Sequence, residues 1–128
     1  MELGFNSTTE FATQVYVCYD RTNEASLYSV DIIYGKSITH SEKRHGERPS
    51  FRIQGLTYPV STVNQYLKSS QAIRFFSLLG PLQSAKYINN KSYLARGHLA
   101  PDADFLFVSW SSATYFYVNA VPQWQDVN

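Results

Sequence analysis

Residues 92–128 read SYLARGHLAPDADFLFVSWSSATYFYVNAVPQWQDVN, and this stretch decides how the chain is interpreted. It contains one histidine, His98, with Arg96 two residues before it and two asparagines, Asn119 and Asn128, downstream. These polar residues are set among apolar and aromatic runs, which are typical of strands and half-buried faces. The pattern predicts a few polar side chains held in place by a hydrophobic framework.

The composition is that of one globular domain. The chain has 128 residues, of which 44% are hydrophobic and 16% aromatic, and this is enough for one hydrophobic core. The formal net charge of +1 does not indicate a globally basic nucleic-acid binder. All eleven Lys and Arg lie in residues 1–96, whereas residues 97–128 carry three Asp and no basic residue. Any bound phosphate would therefore be attracted mainly by the first two-thirds of the chain.

The hydrophobic pattern predicts an α+β fold, with an antiparallel β-sheet and flanking helices. Residues 13–19 and 26–34 are rich in β-branched and aromatic side chains and predict a hairpin with its turn at residues 20–23. Residues 62–79 have helical spacing, with Ser61-Thr62 as candidate capping residues, a break at Ser69-Ser70 and an end at Gly80-Pro81.

The remaining segments are predicted from local composition. Residues 13–128 are predicted to form a single domain after a loosely ordered lead-in. The predicted segments are the lead-in at 1–12, a polar connection at 82–92, an extended segment at 94–99, a short helix through Trp110 capped by Asp102 or Asp104, and a strand at 114–119 ended by Pro122.

Positive charge is concentrated in residues 36–52. Lys36, Lys43, Arg44, Arg48 and Arg52 lie here, diluted by two glutamates. The composition leaves two interpretations open, a solvated loop or an arm that grips a phosphate backbone. The two histidines of this segment have no Cys or carboxylate cluster at ligand spacing, so a zinc site is not predicted.

The chain shows no membrane-length apolar run and no signal-peptide pattern at its N-terminus. Cys18 is the single cysteine, so no intrachain disulfide is possible. It is interpreted as a small buried hydrophobe on a strand, or as half of a disulfide with a partner outside this chain. The oligomeric state is left open.

The polar residues of the last third match the needs of phosphodiester cleavage, which are a base, a cation and fixed geometry. A histidine such as His98 suits the base, an arginine such as Arg96 suits a phosphate clamp, and an asparagine oxygen such as that of Asn128 suits Mg²⁺. Structural explanations also fit: a histidine–arginine pair, a turn-forming Asn119 and a frayed terminal residue. The residues alone leave these alternatives open.

A family resemblance rests on several motifs together, with 21 residues from His98 to Asn119 and nine more to Asn128. The motifs are Arg96-Gly97-His98-Leu99-Ala100-Pro101, Asp104-Phe105, Ala113–Asn119 and Pro122-Gln123-Trp124-Gln125. They resemble the DNA/RNA non-specific endonuclease family, whose members have a ββα-metal active site. Val17–Asp20, Leu27-Tyr28 and Arg48–Phe51 resemble its secreted invertebrate branch.

The resemblance implies a role for each matching residue. His98 matches the general base, and Asn128 matches the direct ligand of a Mg²⁺ ion, with Mn²⁺ as the alternative ion. Arg96 matches a residue that contacts the phosphate, and Asn119 matches an asparagine that supports the site. Arg48 matches an upstream arginine that binds the scissile phosphate. The implied substrates are DNA and RNA, bound through their backbones, and the implied location is outside the cell.

Two departures from the family pattern bear on activity. The family core often begins with Asp, where this chain has Ala95, and the helix expected after the metal-binding asparagine does not follow Asn128. The chain is therefore expected to be truncated and to have the ββα-metal nuclease fold without its C-terminal part. The alternatives are a non-catalytic module of the same fold that binds nucleic acid or a partner, and a Tyr-rich β-domain for protein contacts.

Overall fold

The computed structural model describes residues 1–42, 47–53 and 55–128. The described residues form an α+β structure, as predicted, and divide into two compact units. The first unit contains Met1–Leu56 and His98–Ala120, and the second contains Thr57–Gly97 and Val121–Asn128. The elements are strands β1 (Glu2–Asn6), β2 (Phe11–Asp20), β3 (Ala25–Asp31), β4 (Leu94–His98) and β5 (Ala120–Trp124), α-helices α1 (Thr62–Gln65), α2 (Lys68–Leu79), α3 (Pro81–Tyr87) and α4 (Val108–Ser112), and 3-10 helices Gly35–His40, Asp102–Asp104 and Tyr117–Asn119.

The first unit is built on a three-stranded antiparallel sheet with the order β1-β2-β3. The predicted hairpin of β2 and β3 is confirmed. Its turn is held by the Asp20 carboxylate, which accepts hydrogen bonds from the backbone N–H groups of Thr22 and Asn23 at 2.8 and 3.2 Å. These bonds replace the strand ladder where the chain reverses.

Strand β1 lies within residues 1–12, so the prediction of a loosely ordered lead-in does not hold for residues 2–6. Leu3 is buried opposite Val15, which gives the strand one core contact. Gly4 approaches Ala12 so closely that a Cβ atom would lie 2.0 Å from the Ala12 carbonyl oxygen. The glycine that weakens the sequence signal for a strand is therefore the residue that permits this pairing.

The core of the first unit lies between the sheet and the segment His98–Ala120. Alternate residues of β2, Val15 and Val17, point into it, as the period of a half-buried strand requires. The buried apolar cluster consists of Leu3, Val15, Val17, Ala100, Phe105, Phe116 and Val118. Tyr16 and Tyr28 are exposed on these strands.

Residues 114–119, predicted as a strand, are instead a buried turn that ends in a 3-10 helix. Among the described residues, the strand-type pairing of this segment is one isolated bridge between Arg52 and Phe116. The predicted capping of the short helix by Asp102 or Asp104 is also wrong. Helix α4 begins after Phe107, and the Val108 N–H donates to Glu42 Oε2 at 2.8 Å.

The second unit contains α1 to α3 together with most of β4 and β5. Ser61 caps α1 by accepting a hydrogen bond from the Asn64 N–H, as predicted. The break between helices lies at Tyr66-Leu67 rather than at Ser69-Ser70. Gly80, with φ of 77°, ends α2. No helix in the described ranges is long and apolar enough to cross a bilayer.

Two further predictions for this unit are wrong. Helix α3 occupies the first part of the predicted polar connection 82–92, because Pro81 starts a helix after the turn at Gly80. Strand β5 contains Pro122, which was predicted to end a strand. The extended segment 94–99 is confirmed as β4, which pairs with β5 in a two-stranded sheet.

Candidate functional site

His98, the last residue of β4, lies in a small aromatic pocket of the first unit. Its ring centroid is 4.9 Å from that of Phe51 and 4.8 Å from that of Tyr115, with the tyrosine ring nearly perpendicular. Phe51 and Tyr115 also contact each other, with centroids 5.3 Å apart. The three rings restrict the orientations open to the imidazole and remove part of its surface from water.

This pocket favours the neutral form of the imidazole. Burial lowers the pKa of His98, the positive charge of Arg48 lowers it further, and the negative charge of Asp102 acts in the opposite direction. The Nε2 atom is buried and has no hydrogen-bond partner among the described residues. A neutral imidazole keeps a lone pair on one ring nitrogen, and a proton acceptor requires such a lone pair.

Asn119 holds the backbone that follows His98. Its side chain is fully buried, at 0% exposure. Its Nδ2 donates to the carbonyl oxygens of Ala100 and Thr114 at 3.0 Å each, and its Oδ1 accepts from the Ala100 N–H at 3.0 Å. The Asn119 carbonyl accepts from the Leu99 N–H at 2.9 Å. Asn119 therefore fixes the two residues directly after His98.

The two arginines of residues 47–53 have different environments. Arg52 donates from Nη2 to the Ser112 carbonyl at 2.6 Å, and its guanidinium lies 4.1 Å from the Phe116 ring centroid. Arg52 thereby anchors the segment to the core. Arg48 is exposed and acts electrostatically on His98. The predicted arm residues Lys43 and Arg44 and the histidine His45 lie outside the described residues.

The remaining predicted residues belong to the second unit. Arg96 is exposed on β4, and Asn128 is exposed beyond β5, where its N–H donates to the Trp124 carbonyl at 3.1 Å. The five predicted residues thus divide between the units: His98, Asn119 and Arg48 are in the first, and Arg96 and Asn128 are in the second.

Gln71 has a structural role in the second unit that the sequence did not single out. Its buried side chain donates from Nε2 to the Leu94 carbonyl and accepts at Oε1 from the Leu94 N–H, both at 2.8 Å. One glutamine on α2 therefore fixes the first residue of β4, two positions before Arg96. In the sequence, Gln71 is one polar residue among several in an amphipathic helix, and this pattern does not indicate which polar residue is buried.

Gly97 and Gln123 are packed against each other. A Cβ atom at residue 97 would lie 2.3 Å from Gln123 Oε1 and 2.6 Å from Gln123 Cβ. The glycine between Arg96 and His98 is therefore explained by the close approach of the glutamine on β5.

Gly97→Ala is expected to destabilise the chain by about 1–3 kcal/mol, because overpacking forces the neighbouring strand to shift. Urea unfolding of this variant, of Gln123→Ala and of the double variant gives the coupling energy. Removal of the glutamine amide should restore part of the loss, although the Gln123 Cβ remains close. An additive double variant would argue against this packing. Ser69→Ala, on the exposed surface of α2, is the control for a substitution that causes no overpacking. Gly35→Ala would not serve, because Gly35 has a positive φ and alanine there would strain the backbone.

The model of the DNA/RNA non-specific endonuclease family matches residues 1–128, the whole chain. The chain belongs to this endonuclease family.

Curated relatives of this chain include three insect salivary proteins. It is 35% identical over 111 residues to a salivary endonuclease of Lutzomyia longipalpis, covering 87% of this chain and 26% of that protein. It is 30% identical over 125 residues to salivary protein Tsal1 of Glossina morsitans morsitans, covering 94% of this chain and 30% of the relative. A salivary endonuclease of Culex quinquefasciatus is 47% identical over 45 residues, covering 35% of this chain and 12% of that protein.

These relatives agree with the invertebrate branch that the motifs predicted. The chain spans less than a third of the length of each of them. No solved structure matches it.

The family is one of metal-dependent nucleases, so the donor groups of this chain were compared with what a metal requires. No group of three His, Cys, Asp or Glu side chains that could hold an ion occurs within residues 1–42, 47–53 and 55–128. The exposed Asn128 offers a carboxamide oxygen, a hard neutral donor of the type Mg²⁺ accepts while keeping several waters. One such ligand fits a weakly held hydrated ion and does not fit a closed, multidentate metal cage.

Proposed function

We propose that this chain is part of a secreted endonuclease that hydrolyses DNA and RNA phosphodiester bonds with little sequence preference. The observation that carries the proposal is the half-buried His98, whose pKa is lowered and whose Nε2 has no partner among the described residues. Membership of the family supplies the reaction class. The salivary names of the relatives support secretion.

In this proposal His98 is the general base. Its neutral imidazole takes a proton from the attacking water at a ring nitrogen. The aromatic pocket limits the directions from which that water can approach the imidazole. Asn119 acts indirectly by fixing the backbone of Leu99 and Ala100. Phe51 and Tyr115 exclude bulk water from the parts of the imidazole ring that they contact.

One exposed arginine in each unit is proposed to bind a backbone phosphate of the nucleic acid. Arg48 of the first unit and Arg96 of the second are both exposed, and a guanidinium suits bidentate contact with phosphate oxygens. Contacts of this kind read the backbone and carry no base information, which accounts for low sequence preference. Asn128 would hold Mg²⁺, or Mn²⁺ as the alternative ion, and the ion would supply neutralisation of the phosphate charge.

A second candidate function is a non-catalytic module that binds nucleic acid. The observation that favours it is the lack of any acidic cluster for a metal among the described residues. Phosphate contacts by exposed arginines would remain in such a module, and cleavage would be lost. Its binding would be strongly salt-dependent, as for any protein that contacts the backbone.

The decisive experiment compares cleavage with binding. A protein of the relatives' length that contains this chain is expected to nick supercoiled plasmid and degrade RNA in Mg²⁺, and EDTA should stop both reactions because the phosphate charge is then no longer neutralised by a metal. The 128-residue chain is assayed in parallel and is expected to bind with little or no cleavage. If the long protein binds both substrates but cleaves neither in Mg²⁺ or Mn²⁺, the non-catalytic function is the correct one.

A further inference from the structure

Tyr115 connects His98 to a carboxylate. The tyrosine is almost fully buried, at 2% exposure, and its hydroxyl donates a hydrogen bond of 2.5 Å to Oδ2 of Asp102. The same residue places its ring against the imidazole, with centroids 4.8 Å apart and ring planes at 80°. One side chain therefore contacts the histidine with its ring and the carboxylate with its hydroxyl.

Asp102 is held in place by more than this bond. It begins the 3-10 helix Asp102–Asp104, four residues after His98 in the chain. The Ala100 backbone between them is clamped by Asn119, so both ends of the short connection are fixed. A hydrogen bond to a carboxylate is stronger than one between neutral groups, which makes the tyrosine–aspartate contact a firm one.

We propose that Tyr115 and Asp102 form a positioning pair for His98, in which the tyrosine fixes both the imidazole ring and the carboxylate whose charge acts on it. The effect of this pair on cleavage rests on the proposed function, whereas its effect on the orientation and the pKa of His98 does not. The contacts themselves lie within the first unit. Neither residue touches the reacting atoms, and their role is exerted through the orientation and charge of the imidazole.

The charges around the ring oppose each other. Asp102 favours the protonated imidazole, whereas burial and the positive charge of Arg48, from residues 47–53, disfavour it. Tyr115 is the titratable residue in direct ring contact. A general base works best when its pKa is near the working pH, and the carboxylate offsets part of the lowering that burial causes. The pair thus keeps a half-buried histidine basic enough to accept a proton.

The test is an NMR titration of the 128-residue chain without substrate or metal. The chain has three histidines, so the His98 signals are assigned by comparison with His40→Gln and His45→Gln. Asp102→Asn is expected to lower the pKa of His98, because the negative charge is removed. Tyr115→Phe keeps the ring and is expected to lower the pKa of His98 by less than Asp102→Asn does, because the carboxylate remains but is no longer held in place by the tyrosine hydroxyl.

Asp104→Asn is the matched control, since it removes the same charge from the same 3-10 helix. It is expected to leave the pKa of His98 close to that of the unmodified chain. The proposal is overturned if Asp102→Asn has no effect on the pKa of His98, if Asp104→Asn has an equal effect, or if Tyr115→Phe leaves this pKa unchanged or raises it. Because no cleavage is measured, the titration tests the pair even if the endonuclease assignment fails.

Discussion

His98→Ala in a protein of the relatives' length is expected to reduce cleavage of both DNA and RNA by about 100- to 10,000-fold, the usual contribution of a general base. The reason is that the neutral imidazole in the aromatic pocket is the proposed proton acceptor. Binding, measured by fluorescence anisotropy with a labelled oligonucleotide in EDTA, should change little, since backbone contacts are proposed to come from Arg48 and Arg96.

His40→Ala provides the matched control. His40 is an exposed histidine at the end of a 3-10 helix, and its Nδ1 lies 3.0 Å from the hydroxyl oxygen of the neighbouring Thr39. Cleavage by this variant should remain close to that of the unmodified protein. Retention of full activity by His98→Ala would place the base elsewhere. Equal losses in both variants would point to a general effect on folding, which circular dichroism can detect.

Asn119→Ala is expected to lower the free energy of unfolding by about 3–5 kcal/mol, a large share of the total stability of a small domain. Three backbone groups lose their hydrogen bonds to the Asn119 side chain, which is fully buried: the Ala100 N–H and the carbonyls of Ala100 and Thr114. Each buried polar group without a partner costs about 1–3 kcal/mol, and relaxation recovers part of the sum. Urea unfolding measures the difference.

Asn64→Ala gives the reference value for loss of an asparagine at an exposed position. Asn64 lies on α1, where its backbone N–H, and not its side chain, contacts the cap Ser61. A change within about 0.5 kcal/mol is expected, as for most surface substitutions. If Asn119→Ala were equally mild, the three hydrogen bonds would not be the clamp described here, and the local backbone would have to be held by packing alone.

The sequence predicted the elements whose physical signal is local. The alternation of β2, the turn at Asp20 and the cap at Ser61 each depend on a few adjacent residues, and all three are present. The missed features depend on contacts between separate segments of the chain. Strand β1 is weak in isolation and forms because Gly4 can lie against Ala12. Helix α4 is capped by Glu42, 66 residues earlier in the chain.

The segment 114–119 shows why a β-like composition was misleading. Its β-branched and aromatic residues predicted a strand, but they are buried on every side and have no alternation to distinguish an inner from an outer face. The side chain of Asn119 supplies hydrogen bonds that a neighbouring strand would otherwise provide. A polar group at the end of such a run can therefore set its backbone conformation.

The candidate site was predicted only in part for the same reason. His98 and Asn119 were predicted as site residues from the family resemblance, and the structure adds contacts that their spacing cannot contain. Tyr115, Gln71 and Gln123 were missed because an aromatic or an amide side chain is common in any core or helix. Their importance comes from what they touch: a histidine ring, the Leu94 backbone and Gly97, respectively.

The pairing of Gln71 with Leu94 has a consequence for solubility. The carboxamide bonds both backbone groups of Leu94, as a residue of an adjacent strand would. An exposed strand edge in a two-stranded sheet is an open template for the strand of another molecule. At the first position of β4, a single helical side chain occupies both backbone groups, so a strand of another molecule cannot pair with Leu94 there unless it displaces Gln71.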